Sequence, residues 1–565
     1  MDKKRARSRT GPSRRTAGRS AELILLGGRL VTMDVARPTA QALAIRAGRI
    51  IAVGSDREIR RCRSASTRVL ELNGALAVPG FIEGHGHFLM LGNVRRQLDL
   101  SAARSWEQVV TAVGRAACTT PSGDWITGFG WHQERWERPP KPNLEGFPLH
   151  DSLSRVTPQH PVWLTHACGH AAFANARAME LCGIGPDTPT PPGGKIVRDA
   201  QGRPTGLFQE SAGELISRVL QEDRRRKEGR NEEPRWAEEA RVAARECLAR
   251  GITSFQDAGA SLRQIRFFRK LADAGELPIR LWVMLRGSTP RLAWHLPRLK
   301  ALRNRGHMFT VRAIKCSVDG ALGSATAWML EPYADIPGYT GLPGGGLGRL
   351  PRLARLALAN DFQLCVHAIG DRANRETLDQ FEKAFRRYKP KRGPRWRIEH
   401  AQHLDPADVP RFAELGVIAS MQAVHLLTDA PAALKRFGKA RAREGTHVWR
   451  SLLDAGAVVT NGTDTPVEDP SPITCFHTSV TRRLPDGSRF VPEQCMTRAE
   501  ALRSYTLANA CAAFEEELKG SLTPGKLADI TVLSRDIMTI PADEIPGTEV
   551  LCTLVGGKVM YEKGA

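Results

Sequence analysis

The chain has 565 residues, 41% hydrophobic and 25% charged, a balance typical of soluble globular proteins and a length beyond one ordinary domain. Its 82 Lys and Arg against 60 Asp and Glu give a formal charge of +22, and no apolar run reaches the ~18 residues that a membrane span requires. Eleven cysteines, odd in number and without a Cys-x-x-Cys pair, argue against a disulfide framework; free thiols in a reducing, cytoplasmic compartment are expected.

Residues 1–20 form a basic tail, nearly free of apolar side chains and expected to be disordered. Residues 21–76 read as all-β. Leu23–Leu26, Arg29–Met33, Ala42–Arg46, Arg49–Val53 and Arg68–Glu71 are short runs broken by Gly27-Gly28, Ala47-Gly48 and Asn73-Gly74. Matching runs, Ala528–Leu533 and Val550–Lys558, lie near the C-terminus. The expectation is a small β-sandwich assembled from residues 21–76 and 516–565, with the main domain, residues 77–515, inserted between its halves.

The apolar run Ala75–Ile82 leads into Glu83-Gly84-His85-Gly86-His87. On an extended strand side chains alternate, so His85 and His87 share a face and can grip one metal ion, and Gly84 and Gly86 are read as leaving space beside them. Trp106–Ala117 has helical spacing. Residues 119–235, rich in Pro and Gly, are too long for a plain loop and read as an insertion packed over a site.

From Ile252 a strand–loop–helix rhythm begins, with β-type runs Ile252–Gln256, Ile279–Leu285, Thr310–Lys315, Gln363–His367, Arg397–His400, Val417–Met421 and Ala457–Asn461. With Ala77–Ile82 these make eight, which predicts an α/β fold, a closed (β/α)8 TIM-type barrel; no Gly-rich dinucleotide fingerprint favours an open sheet. In such a barrel the strand ends share one rim, and here they carry His85, His87, Lys315, His367, His400 and Asp464. Four imidazoles and a carboxylate suit a metal centre. A lysine joins them if carbon dioxide converts it to an anionic carbamate bridging two cations; a lysine paired with Asp319 is the alternative.

These motifs resemble the amidohydrolase superfamily, in its family 3 branch, similar to N-substituted formamide deformylases. Gly80–His87, Ile314–Ser324, Val366–Asp371, Ile398–Gln402 and Asn461–Pro466 carry the likeness, as do Gly251–Ser254 and Gly525–Asp529. The resemblance implies two divalent metal ions, zinc by preference. His85, His87, Lys315 and Asp464 would hold one, and Lys315, as a carbamate, His367 and His400 the other. Glu83 stands where Asp is common, and His166 where Arg is expected. The implied reaction is attack of metal-activated water on a non-peptide C–N bond, of an N-substituted formamide or related amide, with Asp464 moving the proton. His170 is a second catalytic candidate, paired with Asn175 and aimed at the substrate carbonyl. Trp131, His166, His170 and His425 are expected to contact substrate. The expected partner is a small-molecule amide, with a homodimer admitted and neither a membrane nor a specific nucleic acid. A one-metal deaminase or a lactone or ester hydrolase is the alternative within enzymes, and a non-catalytic protein binding nucleic acid or a partner through its basic tail is the alternative outside them.

Overall fold

The computed structural model describes residues 20–167, 169–229, 231–299 and 306–564. The expected tail, residues 1–20, lies outside these but for Ser20. Eight parallel strands form one sheet in sequential order: β1 (Phe81–Gly86), β2 (Ile252–Ala260), β3 (Arg280–Leu285), β4 (Phe309–Ser317), β5 (Gln363–Ala368), β6 (Arg397–His400), β7 (Ile418–Met421) and β8 (Val459–Asn461). Helices such as Leu262–Ala274, Leu350–Asn360 and Asp371–Tyr388 alternate with the strands and bury their apolar faces against them.

The sheet curls into a nearly closed barrel. Just beyond β8 the Asp464 amide donates to His85 O at 2.7 Å, and the His87 amide donates to Thr465 O at 2.7 Å. Lower in the seam Asn509 Nδ2 donates to Ile82 O at 2.6 Å and Asn461 O at 2.8 Å, satisfying carbonyls that no strand partner reaches. A Cβ on Gly84 would lie 2.4 Å from Asn461 O. That glycine is therefore needed for strand closure, a different reason from the space beside the imidazoles that the sequence suggests.

The run expected as the first barrel strand, Ala77–Ile82, divides at Gly80. Leu76–Pro79 pairs antiparallel with Ile530–Leu533, and only Phe81 onward joins the barrel. Leu76–Pro79 belongs to a six-stranded sheet that combines strands from both chain ends, and residues 23–71 supply a second, four-stranded sheet. Leu23, Leu25, Leu43, Ile530 and Leu554 share one apolar cluster. Val550–Lys558, read as one run, is a hairpin of Val550–Val555 and Lys558–Glu562 turning at Gly556-Gly557. Arg280 at the start of β3 ties the ends to the barrel, reaching Asp529 with Nε at 2.7 Å and Nη2 at 2.9 Å.

Between β1 and β2 lies a separate six-stranded sheet with its own apolar cluster. It begins at Leu98–Asp99, ahead of Thr119, and helix Trp106–Ala117 packs on it through Trp106, Val109 and Val113. Two helices, Glu214–Glu228 and Glu233–Ala249, lead from this sheet into β2.

Candidate metal centre

His85 occupies the penultimate position of β1 and is fully enclosed. Its Nε2 lies 3.2 Å from Lys315 Nζ on β4 and 3.5 Å from Asp464 Oδ1 in the loop after β8. His87 Nε2 lies 3.2 Å from the same Asp464 oxygen, so the two imidazoles separated by Gly86 do converge. The His400 ring, at the end of β6, sits 4.8 Å from that of His85 and 4.5 Å from that of His367. His85, His400 and Asp464 offer ligand atoms that all lie within 4.8 Å of one another. His367 adjoins this group through His400, and its Nε2 faces Gly320 O at 3.1 Å.

The donor set fits a cation. Asp464 Oδ1 is buried without a hydrogen-bond partner among the described residues, yet two imidazole nitrogens approach it. An orphaned buried carboxylate oxygen is costly in a protein interior, and a metal ion removes that cost. Burial, and then Lys315, push His85 down to about 4, while burial, followed by His170 for His367 and by His367 for His400, holds these two well below the ordinary imidazole range. All three imidazoles are thus neutral at pH 7, the form in which a histidine can bind a metal. Burial also brings Lys315 down to about 8. Burial opposes ionisation of Asp464, but His85, His87 and His400 outweigh it and keep the carboxyl well below its usual range. His400 and Asp464 both hold left-handed backbone, φ 79° and 56°, strain of a kind that collects at functional sites.

A second ring of residues orients the first. Glu399, which shares its motif with His400, accepts a hydrogen bond from His85 Nδ1 and is clamped by Arg397, with Nε 2.7 Å from Oε1 and Nη2 3.0 Å from Oε2. Burial would raise the Glu399 carboxyl, but Arg397 and His85 hold it far below the carboxylate range. His85 is therefore held as the Nδ1–H tautomer with Nε2 turned inward. Gln422 Oε1 contacts His400 Nδ1 at 2.7 Å. Glu83 accepts from the Thr463 amide at 2.7 Å and the Thr463 hydroxyl at 3.0 Å, fixing the loop that carries Asp464. Asp319 is not the partner of Lys315. Its carboxylate accepts the amides of Trp328, Ile369 and Gly370, and so organises the loops around His367.

Above the cluster is a cavity of about 60 Å³ whose walls include His170, His367, His400, His425 and Asp464. His170 pairs with Glu210, Nδ1 to Oε2 at 3.0 Å, and the other Glu210 oxygen accepts from Thr326 Oγ1 at 2.7 Å. Burial alone would lower the His170 pKa; Glu210 reverses this and raises it. Asn175, the expected partner of His170, instead caps helix Ala176–Leu181 and donates to Thr157 O and His160 O. His425 Nε2 is buried and has no partner among the described residues.

Two of the expected substrate contacts are elsewhere. Trp131 is fully buried in the core of the inserted sheet, where its indole donates to Leu164 O at 2.9 Å; its apolar bulk is consumed by packing against Trp136 and Phe173. His166, 2% exposed, lies off the cavity wall, with its ring 4.5 Å from His132, which does line it, and Nε2 3.0 Å from Gln133 Oε1. Glu210, Glu399, Arg135 and Glu468 are absent from the sequence reading of the site. Arg135, in the inserted segment, reaches Glu468 beyond β8 at 3.3 Å across the cavity mouth.

A model of the amidohydrolase family matches residues 68–561. The Arabidopsis thaliana protein LONG AFTER FAR-RED 3 is 32% identical over 564 residues, spanning 96% of this chain and 92% of its own length. The N-substituted formamide deformylase of Arthrobacter pascens is 28% identical over 96% of this chain and 98% of its own. A solved structure of an uncharacterized metal-dependent hydrolase from Pyrococcus horikoshii OT3 superposes with a TM-score of 0.73 at 25% identity, covering 92% of this chain and 99% of that one. The chain belongs to the amidohydrolase family and is a hydrolase acting on carbon–nitrogen bonds.

Proposed function

We propose that the enzyme hydrolyses an N-substituted formamide or a closely related small amide at a pair of divalent cations, zinc by preference, and works in the cytoplasm. The observation that carries this reading is the buried Asp464 oxygen, unpartnered yet flanked by His85 and His87. His85, His87 and Asp464 would hold one cation and His367 and His400 the other, with Lys315, carbamylated by carbon dioxide, shared between them. Bound cations polarise the carbonyl and lower the pKa of water. Asp464 accepts the proton of the attacking water and delivers it to the departing nitrogen. His170, held by Glu210, donates to the carbonyl oxygen as negative charge builds there. His425 Nε2 offers a second polar contact on the same wall. The narrow space above the cluster suits a formyl group better than a bulky acyl group. The likeness to a formamide deformylase over nearly the whole chain adds support.

Metal analysis of purified protein, paired with a screen of formamides, longer acyl amides, ureas and lactones, tests the reading. Two metal ions per chain, a loss of at least one in Lys315→Ala, and turnover of formamides ahead of the rest are expected. Full activity after exhaustive chelation would overturn it, as would one tightly bound ion indifferent to Lys315→Ala, the signature of a one-metal deaminase.

A further inference from the structure

At the end of the barrel opposite the catalytic rim, a cavity of about 920 Å³ opens beside the starts of β4, β5 and β6. Its walls carry five cations, Arg312, Arg355, Lys391, Arg392 and Arg395, against two carboxylates, Asp361 and Glu516. Asp361 lies 3.7 Å from Arg312, and Glu516 lies 2.7 Å from Arg395. Arg355, Lys391 and Arg392 form no ion pair with any described carboxylate.

The ordinary explanation for basic residues here is helix polarity. Helices Leu350–Asn360, Asp371–Tyr388 and Val409–Leu415 all end at this cavity, and a helix C-terminus carries roughly half a negative charge at most. Together with Asp361 and Glu516 these ends offset at most about 3.5 of the five cations, leaving a surplus of at least about 1.5 positive charges. A phosphomonoester supplies about that much negative charge, roughly −1.5 to −2 at pH 7.

The same walls provide flat surfaces. The guanidiniums of Arg312 and Arg395 lie over the Phe514 ring, 3.9 and 4.9 Å from its centre, which fixes their planes. Tyr388 is 39% exposed beside them. Asp361 and Lys389 are the left-handed C-caps, φ 58° and 43°, that end two of these helices, and Arg395 and Phe514 hold left-handed backbone at φ 48° and 59°.

We propose that this cavity binds a small aromatic phosphomonoester of the nucleoside monophosphate class, with its phosphate among Arg355, Lys391 and Arg392 and its ring on Tyr388 and the stacked guanidiniums. The site is separate from the metal centre and stands whether or not the amide reading holds.

Calorimetric titration of the full chain with adenosine 5′-monophosphate, adenosine and inorganic phosphate tests this. The monophosphate should bind at least about ten-fold more tightly than either fragment, because each lacks one half of the recognition. Arg355→Gln with Arg392→Gln should weaken it at least about ten-fold while the urea midpoint stays in place. Tyr388→Ala should bring the monophosphate toward the affinity of inorganic phosphate. Arg226→Gln with Arg386→Gln, an equal charge change at exposed positions, should leave binding intact. Equal affinity for the monophosphate and inorganic phosphate, or equal weakening in the exposed-arginine control, would show non-specific attraction to a basic protein and overturn the proposal. Tight binding of a single-stranded oligonucleotide without binding of the monophosphate would also overturn it.

Discussion

Glu399→Gln separates the two tasks of the most deeply buried ion pair beside the metal centre. Glu399 and Arg397 are both fully buried, and the substitution keeps the side-chain shape while removing its charge. Breaking a buried pair from one side costs about 3–5 kcal/mol, because the remaining charge is left uncompensated. Arg397 retains contacts to Gln256 Oε1, to Gly84 O at 2.8 Å and to Ser420 Oγ at 2.7 Å, which places the expected loss at the lower end, about 3 kcal/mol. The second task is holding His85 with Nε2 inward, and losing such an outer partner weakens metal binding about 10–100-fold. Urea unfolding of chelated protein reads the first effect without any contribution from bound metal, and competition with a chelator of known affinity reads the second. Adding Arg397→Met to Glu399→Gln removes the stranded guanidinium and should recover most of the stability, but not the metal affinity. A Glu399→Gln protein with the wild-type urea midpoint would refute the charge argument. One that lost stability yet held metal normally would refute the role assigned to the His85 contact.

Glu210→Gln should lower kcat about 10–100-fold with little change in KM, because Glu210 acts through the orientation of His170; steady-state kinetics on any turned-over amide reads the split. Acid stability should depend on the Arg280–Asp529 clamp. Burial works against the Asp529 charge but Arg280 outweighs it, so the folded pKa lies below the unfolded value of about 3.9. The clamp therefore contributes fully above that value and its contribution fades as pH falls toward the folded pKa, so the gap in urea midpoint between wild type and Asp529→Asn should narrow on acidification below about pH 4. A pH-independent gap would count against the clamp. Gly92→Ala should destabilise by about 1–3 kcal/mol, since its Cβ would meet Glu239 O at 1.9 Å where helix Phe88–Val94 crosses Glu233–Ala249. Gly185→Ala, which faces open space, serves as the neutral control.

The barrel was legible because each strand is a short apolar run buried on both faces and followed by an amphipathic helix. Trp106–Ala117 matches to the residue, its Ser105 N-cap marking the start. Gly80 hid a boundary, since one continuous apolar run serves two sheets. Within the site, the residue types at strand ends were readable because parallel strands deliver them to one rim. Their partners were not. Glu399 sits in a motif already noted, but its contact with His85 spans 314 positions, and Glu210 reaches His170 through the pairing of inserted strands. Such contacts leave no periodic trace. Trp131 and His166 show the converse limit, because alternation along a strand does not say which face is the interior of a second, separate core.

The division at Gly80 also sets an order of events during synthesis. The strand bearing His85 is continuous with Leu76–Pro79, whose antiparallel neighbour, Ile530–Leu533, is synthesised after all seven later barrel strands. Until then Leu76–Pro79 lacks that neighbour, although β2 is already there to pair with Phe81 onward. Completion of the run that carries His85 is thereby coupled to a segment made long after it, and a fragment ending before Ile530 would hold His85 through β2, Glu399 and the Asp464 loop alone.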